Sequence, residues 1–152
     1  MNKPNPILFY KTNEPYGCFA NFSRHGITLD GEFWPTTEHY FQAQKFVGTP
    51  HQKIVHQAKT PGDAARLGRD RKRPLRADWE EVKDDIMRIA VKAKFEQHED
   101  IRQILLGTGD AELIENTSDD HYWGIGMRGD GKNMLGIILM GVREELREET
   151  EK

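Results

Sequence analysis

The sequence predicts a mainly α-helical fold of the α+β type: one compact helical domain with a small N-terminal β element. Three observations predict it. The chain is 152 residues long, a one-domain length that can bury a core without staples. From Thr37 onward its apolar residues recur at helical spacing. Before that point it carries short β-type runs, two of them joined by Asp30-Gly31, a hairpin-turn dipeptide.

The elements follow in order. Ile7 to Tyr10, Ile27 to Leu29 and Glu32 to Trp34 are the β-type runs. A helix is expected to start at Thr36 or Thr37, with Tyr40, Ala43, Phe46 and Val47 as its apolar side. A second spans Gln52 to Ala58. A third spans Asp63 to Leu67 behind Thr60-Pro61, a cap followed by a residue suited to the first turn. The longest helix should begin after Asp78, which stands three residues before Glu81 as in a capping box. Its stripe of Trp79, Val82, Ile86, Ile89 or Ala90, and Ala93 reaches about Gln97. Ile101, Ile104 and Leu105 mark another helix that stops at Gly107, and a last one runs from Asn133 to Glu148 with Leu135, Ile138, Leu139 and Val142 inward. Residues 144–152 are rich in charge and are expected to fray. No repeat or low-complexity linker interrupts residues 1–152, which are expected to form one domain.

Composition narrows the function. With 22 basic and 25 acidic residues the formal charge is −3, which argues against a protein whose main task is gripping nucleic-acid phosphates. The single cysteine, Cys18, excludes an internal disulfide, and Met1 to Pro6 lack the basic-then-apolar order of a signal peptide. A cytoplasmic location is expected. The longest apolar run, residues 134–142, falls well short of the roughly 20 residues that span a bilayer, so no membrane partner is expected.

The most informative stretch is residues 34–46. Glu38, Gln42 and Lys45 share one helical face, and seven residues rise about 10 Å along a helix, a span that two long side chains can straddle around a small molecule. Taken alone, such a stripe is more often a solvated surface. Aromatic residues stand beside polar ones away from the helical periods: Phe22 and Trp34 near Asn21 and Glu38, Tyr122 and Trp123 near Asp120. That arrangement suits a pocket wall that stacks a flat base; Trp79 suits either a wall or the core.

Other signals point away from common chemistries. Residues 124–129 match GxGxxG by letter, but no buried strand precedes them. Residues 126–132 fit GxxxxGK, yet Asn133 stands where Ser or Thr would hold Mg²⁺. What survives is a glycine-rich loop opening onto a helix, with Arg128 and Lys132 nearby, whose amides are expected to seat a phosphate; the alternative is a connection whose glycines merely turn the chain. Arg66, Arg69, Arg71, Lys72, Arg73 and Arg76 form a basic cluster suited to a phosphate clamp or a shallow nucleic-acid patch. The six histidines have no metal-ligand spacing, so no metal is expected. Cys18 has no neighbouring base to make it a nucleophile.

Six segments, in order and over nearly the full length, resemble the YbiA-like, or NADAR, family of N-glycosidases. They are Phe19-Ala20-Asn21-Phe22; residues 34–46; Gly68-Arg69 with Trp79 and Val82-Lys83; Lys94-Phe95-Glu96-Gln97; Asp120-His121-Tyr122-Trp123-Gly124; and Gly131-Lys132-Asn133-Met134-Leu135-Gly136 leading into Leu139-Met140. Ala20 departs from the family, which often has Ser there, so no hydroxyl acts at that position. The resemblance implies an enzyme without cofactor that cleaves N-ribosyl bonds, either in early riboflavin-pathway intermediates or in ADP-ribosylated guanine. It singles out Arg69 within the basic cluster, whereas Arg71 to Arg73 have no comparable argument.

Breaking an N-ribosyl bond requires stabilising positive charge at the anomeric carbon and protonating the departing nitrogen. Glu38 and Asp120 are the expected pair. A second route uses a neutral Lys45 amine to form a Schiff base with the opened ribose, which requires Lys45 to be partly desolvated. Asn21, Phe22, Trp34, Arg69, Trp79, Trp123, Gly124, Lys132 and Asn133 are expected to bind substrate. Three functions stand: an N-glycosidase on phosphorylated ribosylamino-pyrimidines, an ADP-ribosyl hydrolase acting on guanine in nucleic acid, and a non-catalytic nucleotide-binding module. Length and overall acidity favour the first, with a small phosphorylated N-riboside as partner and nucleic acid a partner only under the second.

Overall fold

A computed structural model describes residues 4–151. Met1 to Lys3, part of the stretch read for a signal sequence, and Lys152 at the end of the charged tail lie outside the described residues. The fold is mainly α, with six helices and four three-residue strands among the described residues. No helix there is long and apolar enough to cross a membrane. The chain divides into two compact units: Asn21–Lys94 is one, and the segments before and after it form the other.

In the unit made by Asn21–Lys94, strands β2 (Ile27–Leu29) and β3 (Glu32–Trp34) form an antiparallel hairpin, with Ile27 opposite Trp34. Its turn places Asp30 at φ 54° and Gly31 at φ 80°, the left-handed pair that Asp-Gly tolerates. Helix α1 (Thr37–Gln44) starts where the sequence suggested, because Thr36 accepts a hydrogen bond from the His39 amide at 3.1 Å. His39 itself is buried and fixes this corner: its Nε2 faces the Ala58 carbonyl at 2.9 Å and its Nδ1 the Thr36 hydroxyl at 2.8 Å. A carbonyl only accepts, so Nε2 carries a proton toward Ala58; burial pushes the pKa of the ring down.

Helices α2 (Pro50–His56) and α3 (Pro61–Arg69) both pack on α1. Each begins with a capping threonine followed by proline; Thr60 accepts from the Asp63 amide at 3.0 Å, as the sequence indicated. Helix α4 (Trp79–Gln97) is the longest. Of its two alternative stripe positions, Ala90 is buried and Ile89 exposed.

In the other unit, β1 (Ile7–Phe9) pairs in parallel with β4 (Leu113–Glu115), Ile7 opposite Leu113. β4 was not foreseen, and β1 is therefore not part of the hairpin element. Three residues carry too little periodicity to announce a strand, yet the backbone groups of β1 need partners once they are withdrawn from water. Phe9, Phe19 and Phe95 pack edge to face, with centroids 5.8 and 5.9 Å apart. Helix α5 (Glu99–Gly107) ends where expected. Helix α6 (Met134–Glu151) buries Leu135, Ile138, Leu139 and Val142 as the pattern required. It also runs through the charged segment expected to fray, because Leu146 is buried and Arg147 bonds both Glu144 and the Gly109 carbonyl.

Candidate active site

The polar stripe on α1 is not a solvated face. Glu38 is 8 % exposed, Gln42 6 % and Lys45 9 %. Gln42 lies one helical turn after Glu38, and its Nε2 donates to Glu38 Oε1 at 2.7 Å. Glu38 also sits in the first turn of α1, where the helix dipole favours negative charge. The turn is anchored from outside by Asn21, whose backbone carbonyl accepts from the Glu38 amide at 3.3 Å and whose Oδ1 accepts from the Thr37 hydroxyl at 3.0 Å. Asn21 Nδ2 in turn contacts Met87 Sδ of α4 at 3.4 Å.

Lys45 follows the last residue of α1, and its backbone is held by the segment ahead of α4. The Arg76 amide donates to Lys45 O at 3.0 Å, and the Arg76 guanidinium donates to Gln44 O at 3.3 Å. The Lys45 amine lies 5.9 Å from the centre of the Phe41 ring and 5.7 Å from that of Trp79, and it donates to the Gly68 carbonyl of α3 at 3.3 Å. Burial is the main force on it and lowers its pKa from 10.5 to about 8; Arg71 pushes the same way, Glu38 opposes, and Arg69 adds a smaller push downward. An amine in such a setting is partly neutral near physiological pH, the state a nucleophile requires.

Gly68 completes this arrangement. A methyl group at position 68 would overlap Gln42 Oε1 and lie 2.7 Å from its Cδ. Its carbonyl accepts from both Lys45 and Arg71 Nη2. Arg71 therefore earns the role that the sequence could not argue for it: it shares an acceptor with the amine and is the stronger of the two arginine influences. Arg69 is exposed; its carbonyl accepts from Arg71 Nε at 3.2 Å, and its guanidinium makes no hydrogen bond or ion pair among the described residues. The rest of the basic cluster is largely braced from within. Arg66 pairs with Asp63 at 3.6 Å, Arg73 reaches His51 at 2.7 Å, and Arg76 forks onto Asp78 at 2.6 and 3.1 Å.

The aromatic residues of this unit differ in setting. Phe22 is 42 % exposed and open to a ligand. Trp79 is buried with its ring against Phe41, centroids 5.0 Å apart, and forms one wall around the amine. Trp34 is 2 % exposed; one face stacks on His56 at 3.5 Å and Tyr40 meets it edge-on. That is core packing, because neither observation leaves the ring open to stack a base.

The other unit holds Asp120, Trp123, Gly124, Lys132 and Asn133. Asp120 Oδ1 accepts from the amides of Tyr122 and Trp123 at 2.9 and 2.8 Å, closing a tight turn. Trp123 is half-buried, its ring edge-on to Tyr122 with centroids 4.9 Å apart, and the Lys132 amine lies 5.4 Å from the Tyr122 ring. At the entry to α6, where a phosphate seat was expected, the backbone amides are engaged within the chain. The amides of Gly131, Lys132, Asn133, Met134 and Leu135 donate to the carbonyls of Ile125, His121, Gly124, Tyr122 and Trp123, so none points at a ligand. Gly124 is glycine for packing: a side chain there would strike Thr117 and come 2.8 Å from Glu115 O. Asn133 is buried at φ 54°, donating to Leu113 O at 2.8 Å and accepting from the Glu115 amide at 2.9 Å. It braces β4 against the start of α6, and both ends of its carboxamide are occupied.

Sequence reasoning thus missed Gln42 and Phe41 as site residues. The signal for Gln42 was present, since it stands four residues from Glu38 on the stripe. Phe41 carried none, because a helical phenylalanine looks like core until its neighbour is seen to be an amine.

Comparisons with known proteins place the chain in a family. The NADAR domain model matches residues 8–147, running through both units. The chain is 51 % identical over 140 residues to N-glycosidase YbiA of Escherichia coli (strain K12), covering 92 % of this chain and 88 % of the relative. The NMR structure of the E. coli protein YbiA superposes with a TM-score of 0.92 at 48 % identity, covering 100 % of this chain and 90 % of that one. N-glycosidase Npun_R5314 of Nostoc punctiforme is 54 % identical over 144 residues, covering 93 % and 92 %. Riboflavin biosynthesis protein VVA0006 of Vibrio vulnificus is 45 % identical over 143 residues, which are 94 % of this chain and 39 % of that protein. With the family model spanning most of the chain and relatives this close, the protein belongs to the NADAR domain family.

Proposed function

We propose that this protein, acting as one NADAR domain, hydrolyses the N-ribosyl bond of a phosphorylated ribosylamino-pyrimidine intermediate of riboflavin biosynthesis, releasing the base and ribose 5-phosphate. It is a hydrolase acting on N-glycosyl bonds, as its relatives at 51 % and 54 % identity are named. The riboflavin assignment draws on the name of the Vibrio vulnificus relative. The observation that carries the chemistry is the buried Lys45 amine at about 8, set on the same helical face as the buried Glu38 carboxylate.

The steps balance without a cofactor. Where the base is attached through an exocyclic amine, the bond between C1 and the ring oxygen breaks, that oxygen takes a proton, and C1 becomes an imine to the base nitrogen. The neutral Lys45 amine adds to C1. A proton then passes from Lys45 to the base nitrogen, with Glu38 as the shuttle, and the base departs as a free amine while Lys45 retains the C1 imine. Water adds to that imine, releasing the open-chain aldehyde of ribose 5-phosphate and restoring Lys45. Because the amides entering α6 are engaged internally, the substrate phosphate is assigned to the exposed Arg69 guanidinium.

The test is base release from the phosphorylated ribosylamino-pyrimidine and from ADP-ribosylated guanine in single-stranded DNA, at equal enzyme concentration. The expected result is the higher kcat/KM on the small substrate. A markedly higher value on the DNA would make the protein an ADP-ribosyl hydrolase, and release from neither would leave a binding module.

A further inference from the structure

Gln42 has no part in the steps above, yet it is buried against the residue that shuttles the proton. Its Nε2 donates to Glu38 Oε1 at 2.7 Å, and its own Oε1 is buried and accepts no hydrogen bond among the described residues. An orphaned buried carbonyl is destabilising, and an apolar side chain of equal length would avoid it. The favourable half of the carboxamide is therefore the N–H that faces Glu38. The orientation with Nε2 toward Glu38 sets a donor against a carboxylate oxygen, whereas turning the amide over would set Oε1 against it. Position 68 bears on the same group: a methyl there would overlap Gln42 Oε1 and crowd its Cδ and Cβ at 2.7 and 3.1 Å. The same residue's carbonyl receives the Lys45 amine at 3.3 Å. Glu38, Gln42, Gly68 and Lys45 thus form one continuous chain of contacts across α1 and α3.

We propose that Gln42 is a positioning residue that orients the Glu38 carboxylate through its Nε2, and that residue 68 is glycine because the Gln42 carboxamide occupies the space of its side chain. This rests on the reading that Glu38 is catalytic, which Glu38→Gln decides separately: activity retained in that variant ends the reading itself, whereas the variants below concern only its partner.

Gln42→Met keeps the length and burial of the side chain and removes the donor. Turnover should fall about tenfold, the scale of a catalytic group left free to turn, with KM within about threefold. The discriminating readout is the titration of Glu38, followed by carbon-13 NMR of its carboxyl group and assigned by its loss in Glu38→Gln. Removing a hydrogen bond to the charged form should raise that titration by about one pH unit. A merely structural role for Gln42 would leave it in place, and an unmoved titration overturns the proposal whatever happens to kcat.

Gly68→Ala is the second arm and does not depend on Gln42→Met folding well. Its clash falls mainly on the far end of a flexible side chain, so the protein can accommodate it by swinging the carboxamide off Glu38. Gly68→Ala alone should therefore raise the Glu38 titration in the same direction and lower kcat, and it should cost little further in the Gln42→Met background. Equal losses in both backgrounds would show that Gly68 acts otherwise and overturn the packing half of the proposal.

Discussion

The pH dependence of turnover should follow the Lys45 amine. With that amine at about 8 instead of 10.5, roughly one molecule in eleven carries a neutral lysine at pH 7, against roughly one in three thousand for an ordinary lysine. Burial between Phe41 and Trp79 with Arg71 nearby thus enlarges the nucleophile population about 300-fold. The assay is kcat/KM from pH 6 to pH 10. It should rise about tenfold per unit below a midpoint near 8 and level off above it. Reduction with borohydride during turnover should leave a covalent sugar adduct on the peptide carrying Lys45. Lys45→Arg preserves the charge and should abolish both the adduct and most of the activity. No adduct, together with substantial activity in Lys45→Arg, would refute the imine route while leaving hydrolysis to Glu38.

Four further outcomes are expected. Glu38→Gln should keep the far-ultraviolet circular dichroism of the native fold and lose about two orders of magnitude in kcat, the usual scale for an acid–base group. Asp120→Asn keeps an acceptor for the Tyr122 and Trp123 amides; we expect a loss of about a hundredfold from removing the charge, and near-normal kcat would leave Asp120 as a turn residue only. The folded pKa of Lys45 lies below its unfolded value, so the unfolded chain binds more protons between about 8 and 10.5, and stability should rise through that window by about 3 kcal/mol. Urea midpoints measured across that range should climb in the wild type and stay flat at this step in Lys45→Met. Asn133→Ala removes two buried hydrogen bonds and a residue tolerant of φ 54°, which should cost about 2–4 kcal/mol in urea unfolding.

The helices were legible because their signals are local. Thr36, Thr60 and Asp30-Gly31 each act within four residues, and the stripes of α4 and α6 are periodicities any unbroken helix must show. The face shared by Glu38, Gln42 and Lys45 was equally visible, because i, i+4 and i+7 fix it before anything packs. What covers that face was not: α3, the segment after it and the start of α4 bring Gly68, Arg71 and Trp79 to the amine, and burial turns a stripe that resembled solvated surface into one that holds a desolvated lysine. The glycine-rich loop shows the converse. Its letters offered amides to an anion, but the direction of a backbone N–H depends on where the chain folds next, and here the amides of residues 131–135 fold onto carbonyls of residues 121–125. Sequence by itself therefore determined which residues travel together on an element. Tertiary structure decided which of them lose water and find each other, because desolvation and hydrogen-bond direction arise only when separate elements meet.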